Sequence, residues 1–574
     1  MTALLAWAWV FTLPGLLLTA LGVPADNRKA GYASLAGPPV MLVVAVIAFL
    51  QGGSYSVEFQ NWLPFLPDGS FRSLADPLSA FMLAILGFVA TLVYVYSLGY
   101  MAEDPGRRRF FAYLDLFVGA MALLVLAGDL AVLLIGWTGV GISSFLLISF
   151  WRDREGTLGA GLQALAANAV GDAALLIAAA FVPRGCGALV TLNTSQCTSG
   201  PGGAELIALL LFVAAAAKSA QGPLYFWLPN AMAGPTPISA LIHAATMVAA
   251  GVYLLVRTHA LIEEAPTVAL WIAIIGVVTA LAASVASFFQ GNFKKGIAYS
   301  TVAQLGYMFA AVGVGAPFPG LFHLFTHASF KALLFLAAGI VIHGAGGLEG
   351  LADLRGLGRF FRFSRAGFLI GSLALIGTPL ITAGSFSKDS IIDAAINSRM
   401  PWVGYLLLLG VVLTGLYIGR LFTIVYMAPA RDPHAVHHDE SSERLMDWSL
   451  VPLMVGAIAF GWLGGALTGQ LSGPLGAIEP LPSPFAVTGW IAFVLGALGF
   501  AGAYWYSMRQ PAAAPAPATA TSYAAAGWVS AIARAGYAVA DDLVARAQSG
   551  LLPLYAFGSL VGLAIVLFLR EVVR

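Results

Sequence analysis

Apolar runs of membrane-crossing length follow one another along almost the whole chain, separated by short polar loops. A bilayer core about 30 Å thick takes about 20 helical residues per crossing. It offers no water to the backbone, so each run must satisfy its own N–H and C=O groups as a helix. Composition agrees. Of 574 residues 59% are hydrophobic and 10% charged, with a mean hydropathy of +0.87, whereas a soluble domain carries about 25% charged residues. The expected fold is an all-α polytopic membrane protein of about 16 transmembrane helices, with almost no room for a soluble domain. A net charge of +1 and a pI of about 7.8 argue against a nucleic-acid partner and leave the lipid bilayer as the surrounding medium. The opening run, ALLAWAWVFTLPGLLLTALGV, has no basic n-region or clear cleavage site and reads as a first span, not a removed signal.

Loop charge suggests the orientation. Arg28–Lys29, Arg107–Arg109, Arg152 and Arg154, Lys294–Lys295 and the Arg355 to Arg365 cluster fall on one side when spans are counted in order. That side is the cytoplasmic one, with Lys294 and Lys295 read as loop charges. Arg184, Arg257 and Arg399 fall opposite, so the bias is strong but incomplete.

Ionisable residues inside the apolar runs are costly and mark function. Lys218 lies within AELIALLLFVAAAAKSAQGP, four residues before a Gly222–Pro223 break. A second interrupted run, GSLALIGTPLITAGSFSKDSIIDAAI, carries Gly377-Thr378-Pro379 and then Lys388–Asp389. An odd number of spans separates the two, so they run in opposite directions, the signature of inverted repeats around a midplane site. Between them stand His243, in SALIHAATMV, and His323, His327 and Lys331, in LFHLFTHASFKALLFLAAG. Spacing by four stacks the last three on one helix face. Histidine changes charge near neutral pH, and burial eases release of a lysine proton. Such a line, bridged by water, can relay protons.

Simpler readings stand beside these. Lys218 is also compatible with snorkelling from a shortened span, His243 with a structural hydrogen bond, and Lys388–Asp389 with an ion pair that secures the break. His434, His437 and His438 resemble a metal tract but sit in a loop that reads as solvated, so no metal site is expected. Cys186 and Cys197 share one polar outer loop, compatible with a local disulfide or two free thiols. Two cysteines cannot hold an iron–sulfur cluster, and the chain has no Walker loop, no GxGxxG after a strand and no CxxC. No cofactor is expected on this chain.

The strings WLPNAMAGPTPISALIHAATMVAAGVYL, KKGIAYSTVAQLGYMFAAVGVGA, LFHLFTHASFKALLFLAAG and GSFSKD, with FFAYLDLFVGAMALLVLAGD and GWTGVGISSFLLISFW upstream, resemble the L-type antiporter-like membrane subunit of respiratory complex I. That subunit is called NuoL in bacteria and is related to the large Mrp antiporter subunits. The resemblance is close over roughly residues 60–430. It implies two five-helix inverted repeats, each with a broken helix and a half-channel, joined by a central polar chain. By motif match, Lys218 would be the switching lysine and His243 the bridge to the second repeat. His323, His327 and Lys331 would form the central relay, and Lys388 the terminal lysine with Asp389 beside it. The resemblance also implies neighbouring membrane subunits, another antiporter-like subunit among them, with quinone, FMN and iron–sulfur clusters on partners. The transported ion would be the proton, with sodium left open, and the location the bacterial plasma membrane.

The departures are specific. The resembled GWEGVG reads GWTGVG here, with Thr138 for the glutamate that would pair with the switching lysine. NRIGD reads Asn168-Ala169-Val170-Gly171-Asp172, without the arginine, and WLPDAM reads WLPNAM, with Asn230. Asp172 is then the nearest acid for Lys218. Downstream, QPAAAPAPATATS is a Pro/Ala linker. Val529, Ile532, Val539 and Leu543 follow on one helix face, with Arg534, Asp541 and Asp542 at polar positions. The resemblance implies a long lateral helix there; this one is cut to about 25 residues, or about 38 Å.

The chain divides into N-terminal spans and outer loop (1–75), first repeat (76–257), second repeat (258–430), additional spans (431–508), linker and lateral helix (509–550) and a C-terminal span (551–574). The expected function is proton translocation within a NADH-quinone oxidoreductase-like assembly. Two alternatives remain. One is an ion-translocating subunit of a Mrp-type antiporter, membrane-bound hydrogenase or proton-driven inorganic-carbon uptake complex; the other is a non-conducting structural anchor.

Overall fold

A computed structural model of the protein describes residues 1–22, 29–59, 71–182, 188–189, 201–430, 440–476, 478, 481 and 486–509. Cys186 and Cys197, the His434–His438 tract, the lateral helix and the C-terminal span lie outside these residues.

Helices dominate the described chain. In order they include α1 (Leu13–Ala20), α2 (Gly37–Gln51), α3 (Pro77–Tyr100), α4 (Arg107–Val125), α5 (Leu130–Ile148), α6 (Thr157–Phe181), α7 (Pro201–Lys218), α8 (Thr236–Ala244) and α9 (Met247–Arg257). There follow α10 (Pro266–Phe289), α11 (Phe293–Gly313), α12 (Pro317–Gly344), α13 (Arg362–Ile376), α14 (Ala383–Asn397), α15 (Pro401–Phe422), α16 (Glu440–Ala459) and α17 (Val487–Arg509). Ten helical runs among the described residues are long and apolar enough to cross a membrane, α8 and α9 counting as one. The opening apolar run is not one continuous helix. It forms Thr2–Leu5, a 3-10 turn at Ala8–Val10, and then α1, whose first turn contains Pro14. Proline supplies no N–H and is placed best in a first turn, so it starts a new helix there.

Two short strands, β1 (Tyr55–Phe59) and β2 (Phe71–Ala75), pair antiparallel with Tyr55 opposite Ala75. This cap was not expected from the sequence, where it reads only as outer loop. Asp129, at the N-terminus of α5, accepts hydrogen bonds from the backbone N–H of Val132 and Arg72, each at 2.8 Å, which ties β2 to the helix.

The α8–α9 span and α12 lie innermost, with 100% and 94% of their apolar windows buried, whereas α10 is half-buried and α17 less so. Val278, Val285 and Phe289 on α10 and Leu498 on α17 face outward, as lipid-facing positions do. A polar residue within the apolar windows of α8 or α12 is therefore surrounded by protein. α12 packs against α8, α9, α11, α13, α14 and α16, and α7 packs against α6 and α9.

Candidate functional site

The site begins where α7 stops. Its last residue is Lys218, and the chain leaves the helix through Ser219 and Ala220, the latter at φ 51°. Backbone groups freed by the break find partners at once. Trp227 Nε1 donates to the Ala217 carbonyl at 3.0 Å and Gly222 N–H to Thr279 Oγ1 at 3.0 Å, while the Ser219 hydroxyl ties the turn to the Val248 carbonyl on α9 at 2.7 Å. These satisfied groups are what make a break tolerable at membrane depth. They also argue against snorkelling, since Lys218 is fully buried.

The Lys218 ammonium faces α5 and α6. It sits 5.4 Å from the centre of the Trp137 ring and 3.6 Å from Asp172 Oδ1. Gly141, one turn beyond Trp137, leaves it room: a Cβ there would stand 3.1 Å from Nζ. Asp172 thus supplies the carboxylate expected of it, while Thr138 is half-buried and residues 169 and 170 point outward. At 3.6 Å the contact is an ion pair longer than a hydrogen bond.

His243 lies at the end of α8, fully buried, with its ring 4.6 Å from that of Phe335 on α12. Immediately after it the span breaks at Ala245–Thr246, where Thr246 Oγ1 donates to the Leu241 carbonyl at 2.6 Å. Sequence reading missed this break, because Ala-Ala-Thr contains no glycine or proline. Neither ring nitrogen of His243 has a hydrogen-bond partner among the described residues, so the simple reading of a structural hydrogen bond to a neighbouring helix finds no partner there.

On α12, His323, His327 and Lys331 are all fully buried. The His323 and His327 rings are 6.1 Å apart. His323 is held at both nitrogens, Nδ1 with Ser387 Oγ at 2.9 Å and Nε2 with Gln304 Oε1 at 3.1 Å. Ser387 also meets Thr326 Oγ1 at 2.6 Å. Lys331 donates to Ser300 Oγ on α11. His327 has no partner at either nitrogen among the described residues. Gln304, Ser300, Thr326 and Ser387 were not anticipated from the sequence. Serine, threonine and glutamine are common at helix–helix contacts in membranes, and only spatial proximity distinguishes these four.

The second break runs from Gly377, at φ 93°, through Leu380, at φ 64°, to the start of α14. Lys388 donates to the Leu375 carbonyl, near the broken end of α13, and lies 5.5 Å from the centre of the Tyr307 ring. It makes no ion pair with Asp389 among the described residues. Successive helical residues point about 100° apart, and Asp389 instead lies against Gly489 in the first turn of α17. Ion pairing of these neighbours therefore does not hold the break.

Lys294 departs from its reading as a loop charge. It is buried, donating to the Met232 and Gly234 carbonyls at 2.8 and 2.9 Å and pairing with Glu349 at 3.0 Å. Arg257 pairs similarly with Asp76. Both tie distant segments together at the ends of helices.

Comparison with known proteins follows the same outline. The family model described as "NADH:quinone oxidoreductase/Mrp antiporter, TM" matches residues 127–415, and that described as "NADH-Ubiquinone oxidoreductase (complex I), chain 5 N-terminus" matches 62–111. NADH-quinone oxidoreductase subunit L of Mycobacterium tuberculosis is 39% identical over 479 residues, which is 80% of this chain and 74% of that protein. The chain belongs to the NADH:quinone oxidoreductase/Mrp antiporter family, as an L-type antiporter-like membrane subunit. NADH-ubiquinone oxidoreductase chain 5 of Cryptococcus neoformans is 39% identical over 438 residues, 73% of this chain and 65% of that one. A solved Mrp complex from Dietzia sp. superposes with a TM-score of 0.77 at 26% identity, covering 100% of this chain and 63% of its counterpart. This family member therefore spans just under two thirds of the fungal and Dietzia proteins and about three quarters of the mycobacterial one.

Proposed function

We propose that this chain is a proton-translocating subunit of a complex I-like NADH-quinone oxidoreductase in the bacterial plasma membrane. The observation that carries the reading is the buried series Lys218, His243, His327, Lys331, His323 and Lys388. It starts at one broken helix and ends at another, with Asp172 beside its first member. All six are nitrogen bases. Such groups take up and release protons, whereas hard cations prefer oxygen ligands, which favours the proton over sodium. The steps are proton transfers between neighbours, water-bridged where no direct contact exists. Each site accepts one proton and releases one, with Asp389 near the terminal lysine. The two breaks mark two repeats, 76–257 and 258–430, and the helices outside the ten apolar runs complete the crossings. No metal or cofactor takes part on this chain; quinone and redox chemistry belong to partner subunits.

A second reading, a subunit of a Mrp-type assembly, is favoured by the full coverage of this chain by the Dietzia counterpart. Purification of the tagged chain from native membranes decides between them. Co-purification of iron–sulfur and quinone-reducing subunits, with NADH-driven proton uptake into vesicles, supports the first. Recovery with other antiporter subunits alone and no redox-driven flux rejects it.

A further inference from the structure

The ladder on α12 does not end at Lys331. Continuing by fours it meets Phe335, Gly339 and His343, the last being exposed at the helix end. Phe335 and Gly339 cannot carry protons, so over about 18 Å α12 itself offers no path from Lys331 to water. The neighbouring helix offers one. On α8, Thr236, Ser239 and His243 are spaced by three and four and share one face, and all three are buried. His243 lies against Phe335. Thr236 lies against Gly339, where an added Cβ would come within 2.8 Å of its Cγ2. At the outer end Thr236 Oγ1 is 3.2 Å from the Tyr100 hydroxyl, and the Tyr100 ring is 5.2 Å from that of His343. Ser239 Oγ, 1% exposed, has no hydrogen-bond partner among the described residues, nor have the nitrogens of His243. A buried hydroxyl with no protein partner is placed to meet a bridging water.

We propose that Tyr100, Thr236 and Ser239 form a proton access route between His243 and the aqueous phase beside His343. The proposal rests on the relay reading above and adds the point where that relay opens to water. Tyr100 and Thr236 exchange a proton directly, and water bridges the gaps on either side of Ser239. At each hydroxyl the oxygen accepts a proton while its own passes on, and the hydroxyl then turns back. The net change is one proton gained or lost at an imidazole nitrogen of His243. The open end lies with the basic loops: Tyr100 precedes Arg107–Arg109, and Thr236 follows the Met232–Gly234 segment held by Lys294, itself paired with Glu349.

The test uses the intact complex in sealed vesicles. Thr236→Val and Ser239→Ala are close in size to the originals and should each lower proton flux at least tenfold. Thr236→Ser and Ser239→Thr should keep it within twofold, a pattern that loss of packing alone does not give. Full flux in both hydroxyl-deleted variants, with Lys331→Met inactive, overturns the route and leaves the relay standing. Full flux in Lys331→Met overturns both. Should the hydroxyl variants fail to assemble, His343→Cys in a background lacking Cys186 and Cys197 takes their place. A membrane-impermeant thiol reagent applied from the basic-loop side should slow flux several-fold, and the same reagent from the other side should not. Equal response from both sides, or from neither, rejects the route.

Discussion

Lys218 shows how one substitution redistributes a charge balance. An ammonium in a protein interior needs a counter-charge or dense hydrogen bonding. With threonine at position 138, the pairing falls to Asp172 on the next helix, at 3.6 Å. Asp172→Asn should lower proton flux about tenfold or more, equivalent to about 1.4 kcal/mol, without reducing the amount of complex assembled. Adding Thr138→Glu to that variant should restore most of the flux. Vesicle flux normalised to subunit abundance reads both, and unchanged flux in Asp172→Asn rules out the pairing. Lys294 plays a different part. Lys294→Met removes three contacts of a charged donor and should destabilise the purified protein by about 1.5–3 kcal/mol, seen as a lower unfolding temperature. Glu349→Gln, at the more exposed end of the pair, should cost less. The sequence marked Lys218 and Asp172 because an isolated charge in an apolar run has few explanations. Lys294 was misread because two lysines beside a glycine-rich turn look alike from the sequence, and only the fold turns one inward.

Among the elements, the breaks matter more than the unbroken helices. Gly222–Pro223 and Gly377-Thr378-Pro379 were legible because glycine and proline interrupt a helix for known steric reasons. The break after His243 was not, since it depends on the Thr246 hydroxyl reaching the Leu241 carbonyl. Close packing around the breaks is set by small residues that touch no proton. A Cβ at Gly251 would come within 2.3 Å of the Ala215 carbonyl and Ser219 Oγ. Gly251→Ala should therefore push α9 from the turn that carries Lys218. The expected cost is about 1–3 kcal/mol, with flux falling although every ionisable residue is intact. Wild-type flux and thermal stability in that variant would mean that α9 does not hold the Lys218 turn in place.

For the whole molecule, hydropathy alone specified a helical membrane protein, and motif strings specified the family. What neither carried was which helices lie at the centre. α8, α9 and α12 are no more apolar than the lipid-facing α10, yet they are almost wholly enclosed. In the proposed relay, enclosure is what would make one series of these histidines and lysines, because a buried base can exchange protons only with neighbours that the fold provides. Lys331 occupies the middle of that series, bonded to Ser300, with the two broken helices on either side of it in sequence. The most direct measurement is proton flux through the assembled complex in sealed vesicles carrying Lys331→Met, with assembly confirmed by subunit abundance. The buried relay predicts that flux is abolished; wild-type flux in that variant would contradict it.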